Sequence, residues 1–200
     1  MTGFALTLRR HIARRPATLV AIAVSLVLLA LPAFVNAYAL TSYRDVILFA
    51  IFALSLDVFW GKTGILSFGH AAFFGLGAYG MANHIAVGWS SVTGGDSGLI
   101  GVPPLVIFGF SFIDPFRSYY LCLAVLSVFL FGSIAIMNGR FGLILTAIQD
   151  DETKAQTLGY RTSLLLLVTF VASASMAGLA GALYAAMNGF VAPDMIALLL

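Results

Sequence analysis

Charge is the scarcest commodity in this sequence. Ten Lys and Arg with eight Asp and Glu make up 9% of the 200 residues, against 61% hydrophobic residues and a mean hydropathy of +1.04. A soluble domain carries about 25% charged residues to cover its surface. So few charges cannot coat a globule of this size, and the solvent for most of the surface is lipid. With a net charge of +2 and no basic stripe beyond the N-terminal "RRHIARR", nucleic acid is excluded as a partner. Cysteine is equally rare. The single one, Cys122, sits in the apolar "YYLCLAVLSVFLFG", can form no intramolecular disulfide, and reads as a small buried hydrophobe.

The patterns of catalysis are missing too. No G-x-S-x-G nucleophile elbow occurs. No second histidine or acid lies at metal-ligand spacing from His70, so no metal site is expected. Gly61-Lys62-Thr63 looks like the end of a phosphate loop, but the glycine needed five residues before the Gly-Lys pair is Leu56. An intramembrane enzyme built on His70 and Asp57 lacks a constellation. The chain is therefore expected to be no enzyme and to bind no cofactor of its own.

What is present is a series of apolar runs. Residues 17–35, "ATLVAIAVSLVLLALPAFV", are long enough to cross a bilayer core as a helix. The rival reading is a cleaved leader with Ala37-Tyr38-Ala39 as its processing site; the length of the run and the spans after it favour a membrane helix. Further spans are expected at 44–60, 65–88, 119–138 and 162–187, giving an all-α polytopic bundle in a single membrane domain, 1–200. Residues 89–118 read as a loop, within which "PPLVIFGFSF" is too short and broken to span and is expected in the interface or as a re-entrant segment. With the N-terminus in the cytoplasm, inside segments hold Arg9, Arg10, Arg14, Arg15, Lys62, Arg140, Lys154 and Arg161, and outside segments only Arg44 and Arg117. That asymmetry obeys the positive-inside rule and predicts an N-in, C-out topology.

Small residues concentrate in two of the spans. Gly69, Gly75, Gly77 and Gly80 thin the third. In the fifth, Ser173, Ala177, Gly181, Ala185 and Gly189 recur every fourth residue beside a second row of Ala174, Gly178, Ala182 and Ala186. Such rows lie on one helix face and let backbones approach closely where lipid offers no hydrophobic drive. Gly69, Gly75, Gly77, Ala177, Gly178 and Gly181 are thus expected packing positions. Ionisable groups at membrane depth are costly and face a bundle interior or a watery cavity. His70 and Asp57, with nearby Ser67, Phe73 and Tyr79, are candidates to line a substrate pathway, although a satisfied structural hydrogen bond explains a lone His70 equally well.

The stretch "ALSLDVFWGKTGILSFGHAAFFGLGAYGMA" resembles a signature of the membrane permease subunits of branched-chain amino acid ABC importers, the Liv type. "TGGDSGLIGVP" and "GRFGLILTAIQDDETKAQTLGYRTSLLLLVTFVASASMAGLAGALYAAMNGFVAPD" are similar to two further signatures, in family order over about half the chain. The resemblance implies a pathway for hydrophobic amino acids delivered by an extracytoplasmic binding protein. It also implies a second permease subunit and two ATPase subunits that use the ATP, all in a bacterial inner membrane. Segment 139–161 matches the ATPase-facing region and carries Arg140, Gln149, Asp150, Asp151, Glu152, Leu158 and Gly159. Ile144, Ile148, Ala155 and Leu158 are expected to form its apolar side, and the acids a patch that matters to the partner and little to the fold. The chain departs from the family pattern in lacking membrane segments after the "GAYG" helix and in stopping soon after "APD", so it looks shortened. Asp57, where many members carry asparagine, is similar to the urea and short-chain amide branch. Two alternatives follow from these departures: a urea or amide importer permease, or a permease fragment with only a structural role.

Overall fold

The computed structural model describes residues 18–65, 67, 69–87, 99–100, 106–107, 110–111, 114–188 and 190–191. The basic N-terminal run, most of the "SSVTGGDSGLIGVP" loop and the end of the chain from residue 192 lie outside them. Seven helices carry the fold: α1 (Thr18–Ala33), α2 (Ala37–Thr63), α3 (His70–Val87), α4 (Pro115–Asn138), α5 (Arg140–Asp150), α6 (Glu152–Thr157) and α7 (Thr162–Asn188). Of the described helices, α2, α4 and α7 are long and apolar enough to cross a membrane. The 27 residues of α2 and of α7 reach about 40 Å at 1.5 Å per residue, more than the roughly 30 Å hydrocarbon core. The molecule is an all-α polytopic bundle. Among the described residues strand structure is limited to two-residue pieces: β1 (Leu99–Ile100) pairs antiparallel with β4 (Phe190–Val191), and β2 (Val106–Ile107) with β3 (Phe110–Ser111). The apolar stretch expected to be interfacial or re-entrant thus contributes a minimal hairpin.

Helix α2 is the axis of the bundle. Its buried positions Leu40, Arg44, Ile47, Leu48, Ile51, Ser55, Val58, Phe59 and Thr63 follow three- and four-residue steps, one stripe of an α-helix. It ends where Gly64 takes a left-handed conformation (φ 72°) and returns its N–H to the Trp60 carbonyl, a conformation that glycine reaches without steric cost. Helix α7 runs antiparallel to α2, with Asn188 against Arg44 and Ser173 against Ser55. Helix α3 runs parallel to α7, with His70 against Ser173 and Ala78 packed with Ala185.

The apolar core sits at the Arg44 end. Leu40, Ile47, Leu48 and Ile51 of α2, Phe74 of α3, Tyr119, Cys122 and Leu123 of α4, and Ala180 of α7 form one cluster. Two polar devices pin it. Pro32 near the end of α1 cannot give Leu28 the N–H that a helix would supply, and the Tyr119 hydroxyl of α4 donates to that carbonyl at 2.7 Å. Arg44 donates to the Met187 carbonyl (3.3 Å), to Asn188 Oδ1 (2.7 Å) and to Asp45 Oδ1 (2.9 Å). A buried cation thereby closes the C-terminal end of α7, where unpaired carbonyls carry partial negative charge.

Candidate functional site

At the middle of the bundle one polar junction joins three helices. The Ser173 hydroxyl of α7 contacts the Ser55 carbonyl of α2 at 2.5 Å, and His70 Nε2 of α3 contacts the same hydroxyl at 2.5 Å. A carbonyl can only accept, so Ser173 donates to Ser55 and its lone pair accepts from His70 Nε2–H. That fixes the tautomer and leaves Nδ1 bare; it is buried and has no hydrogen-bond partner among the described residues. The ring is stacked on Phe59 and met edge-on by Phe73 and Phe170. The structural hydrogen bond weighed for His70 in the sequence is present. Ser173 lies eleven residues into α7, about 16 Å by helix rise, so α3 starts halfway through the bundle. The third apolar span is helical from His70 on, whereas the approach from Gly64 through Gly69 holds no described helical residue.

Above this junction α3 and α7 touch backbone to backbone. A Cβ on Gly77 would fall on the Gly178 carbonyl, and one on Gly181 would fall on the Phe74 carbonyl. Ala177 and Ala185 are fully buried in the same seam, and Gly75 is buried beside it. Gly69 is different: the nearest atom to a Cβ there is the Ser67 hydroxyl, 3.8 Å away. Tyr79 is half-buried against Ala78 and Ala185.

On the other side of α7 the packing opens. Toward the α5–α6 end, helices α2, α4 and α7 leave a cavity of about 520 Å³ lined by Val58, Phe129, Gly132, Ile136, Val168 and Met176, among others, with Phe141 of α5 at its edge. A second cavity of about 360 Å³ lies between α2 and α4, and Asp57 and Lys62 line it. The two share Val58, Ser133 and Met137. The structure therefore groups His70 with Phe73 on the α3–α7 side of α2 and sets Asp57 on the α4 side, two residues and more than half a helical turn from Ser55.

Helices α5 and α6 close the end of the bundle. Gly139 turns the chain out of α4, and a Cβ on Gly142 would fall on the Met137 carbonyl, so the turn can be tight. The apolar side of α5 is Gly142, Leu145 and Ile148, all buried, joined by buried Ala155 of α6. Leu158 is instead 75% exposed, beside a left-handed Gly159 (φ 87°) and half-exposed Tyr160. Gln149 packs on the Gly64 cap of α2, 3.4 Å from where a Cβ would stand. The acids divide by task. Asp151 Oδ1 accepts from the Lys154 N–H (3.0 Å), capping α6, and Oδ2 pairs with the Lys154 ammonium (2.9 Å). The Lys154 hydrogen bonds hold its carboxyl below the usual carboxylate range. Glu152 Oε1 accepts from Thr162 (2.9 Å) and Gln156 (3.2 Å), tying α6 to the start of α7. Asp150 is exposed and makes no such bond among the described residues, and Arg140 is exposed as well. Two of the three acids thus serve the fold, which the sequence reading did not foresee.

Residues 38–112 and 83–200 match the family described as branched-chain amino acid transport system / permease component. The chain belongs to that family. With this family membership and its long apolar helices it is a multi-pass inner-membrane protein. The high-affinity branched-chain amino acid transport system permease protein LivM of Salmonella typhimurium is 24% identical over 223 residues, covering 74% of this chain and 52% of the relative, and LivM of Escherichia coli matches to the same extent. The chain spans about half the length of these relatives. The aligned 223 positions also exceed what 74% of 200 residues supplies, so the relatives hold intervening residues where this chain has none. No solved structure matches. Among the described residues no group of three or more His, Cys, Asp and Glu could hold a metal ion.

Sequence reasoning missed Ser173 as a partner for His70. Its place in a small-residue row hid it, although the hydroxyl at the head of that row was a readable signal. Arg44 as a helix closure and the cavity between α4 and α7 had no sequence signal, because both depend on residues distant in the chain.

Proposed function

We propose that this chain is a membrane-spanning subunit of an ATP-driven importer for branched-chain or other hydrophobic amino acids, oriented with α5 and α6 in the cytoplasm. The observation that carries the reading is the crevice at the α5–α6 end, apolar over about 520 Å³ and bordered by two opposite charges, in a chain of a branched-chain amino acid permease family. Volumes of this size suit small-molecule sites. An apolar wall has little to offer urea, which has no side chain to fill it, and this favours hydrophobic amino acids over the amide alternative. The relatives named above are permeases of high-affinity branched-chain amino acid systems, which supports the same substrate class.

The motor is borrowed. Asp150, Arg140, Leu158 and Tyr160 form an exposed, mixed apolar and charged surface at the crevice end, the kind of surface on which a partner docks with charge setting register. Two ATPase subunits would bind there, with a second permease subunit beside the bundle and a soluble binding protein at the Arg44 end. Reconstituting the chain with those partners tests the reading. ATP-dependent uptake of leucine, isoleucine or valine supports it; uptake of urea with none of these amino acids would replace it with the amide importer.

A further inference from the structure

We propose that Asp57 and Lys62 hold the two charges of an aliphatic amino acid in the smaller cavity, with its side chain in the larger one between α4 and α7. The inference rests on the permease reading above and names its binding site. Both residues line the 360 Å³ cavity, and their backbones are about 7.5 Å apart along α2 by helix rise. Neither forms an ion pair with the other or with any other described residue. Opposite charges lining one cavity near membrane depth ordinarily pair, because each is costly alone. Here both remain available to a ligand that brings both complements.

Local structure keeps them so. Gly61 stands one turn after Asp57, and a Cβ there would come 3.0 Å from Asp57 Oδ1, so the glycine leaves room for the carboxylate along the helix. Val58 and Met137, with the Ser133 hydroxyl committed to the Leu130 carbonyl (3.0 Å), form the border shared by both cavities. A ligand seated there presents its ammonium to Asp57 and its carboxylate to Lys62, and its side chain crosses this border into a wall of Phe129, Ile136, Val168 and Met176. The chemistry selected is a zwitterion with an apolar tail. A zwitterionic phospholipid shares that chemistry, and the test separates the two.

The test uses the assembled membrane complex in nanodiscs, without its soluble binding protein, and measures binding of tritiated leucine. Leucinamide, which lacks the carboxylate, and 4-methyl-2-oxopentanoate, which lacks the ammonium, serve as competitors. Asp57→Asn should weaken leucine and leucinamide about tenfold or more and leave the keto acid unchanged. Lys62→Gln should weaken leucine and the keto acid and leave leucinamide unchanged. The unchanged analogue in each case shows that the variant is folded. Parental leucine affinity in both variants would overturn the site, as would equal loss of all three ligands. Loss of co-purified phosphatidylethanolamine with unchanged leucine affinity would assign the crevice to lipid instead. A parent complex that neither binds nor imports any aliphatic amino acid overturns the permease reading, and the site with it.

Discussion

The two faces of α7 are built on opposite rules. Toward α3 it presents Ser173, Ala177, Gly181 and Ala185, all fully buried or in backbone contact; toward α4 it presents Val168, Ala172, Ser175 and Met176 to a cavity. The same helix is a closed seam on one side and a crevice wall on the other. In lipid, exclusion of water does not hold helices together, so contact forms where small residues admit it. Where bulkier side chains stand on both helices, as at Phe129 and Ile136 of α4, space is left for something else. The proposed transport role needs both properties: a rigid body to carry force and a gap to carry substrate.

The sharpest way to break this comparison is to add bulk on each side. Gly77→Leu or Gly181→Leu drives a side chain into backbone, and the yield of folded, monodisperse protein should collapse, with a cost above the about 1–3 kcal/mol usual for overpacking. Gly132→Leu on α4, where a Cβ meets nothing within 4 Å, should leave the thermal midpoint within a few degrees and reduce import. Equal loss of fold on both sides would erase the distinction.

Smaller effects should follow the polar links. Arg44→Met strips Met187, Asn188 and Asp45 of a charged donor, and thermal unfolding should report a loss of about 2 kcal/mol. His70→Phe removes one donor from Ser173, which keeps its bond to Ser55; about 1 kcal/mol is expected. His70→Phe as costly as Arg44→Met would make the central junction, not the Arg44 closure, the tighter link.

The smallest effect lies in α6. Asp151 titrates below its unfolded value, so its contribution is present above that value, near pH 4, and is lost as pH falls through the depressed folded value. The protection of the Lys154 amide, taken relative to its intrinsic exchange rate, should therefore fall below about pH 4, and Asp151→Asn should abolish the dependence. For the same reason a triple replacement of Asp150, Asp151 and Glu152 mixes fold with partner binding. Asp150→Asn alone should weaken recovery of the ATPase and flatten its salt dependence while leaving α6 unchanged.

Much of this architecture was legible in the chain. The apolar runs mark the long helices because bilayer thickness imposes a length, and the four-residue rows from Ser173 to Ala185 mark the seam because helix geometry imposes a period. The expected span 44–60 understates α2, which extends to Ala37 and Thr63, because Arg44 and Asp45 looked like an end; Arg44 is instead buried, Asp45 half-buried, and both bond Asn188 of α7. Segment 139–161 read as a polar stretch with an apolar side; its division into two helices at Asp151 depends on one extended residue that composition does not mark. The crevice was invisible, since a gap is made by residues that fail to meet.

Water access to that gap measures the central claim most directly. In a Cys122→Ala background, single cysteines at Ser133 and Ala172 face the crevice, and one at Ala177 faces the seam. In nanodiscs, a membrane-impermeant maleimide should modify the first two from the α5–α6 side and spare the third. Labelling at Ala177 equal to that at Ser133 and Ala172, or protection of all three, would contradict an account in which one face of α7 is closed and the other open.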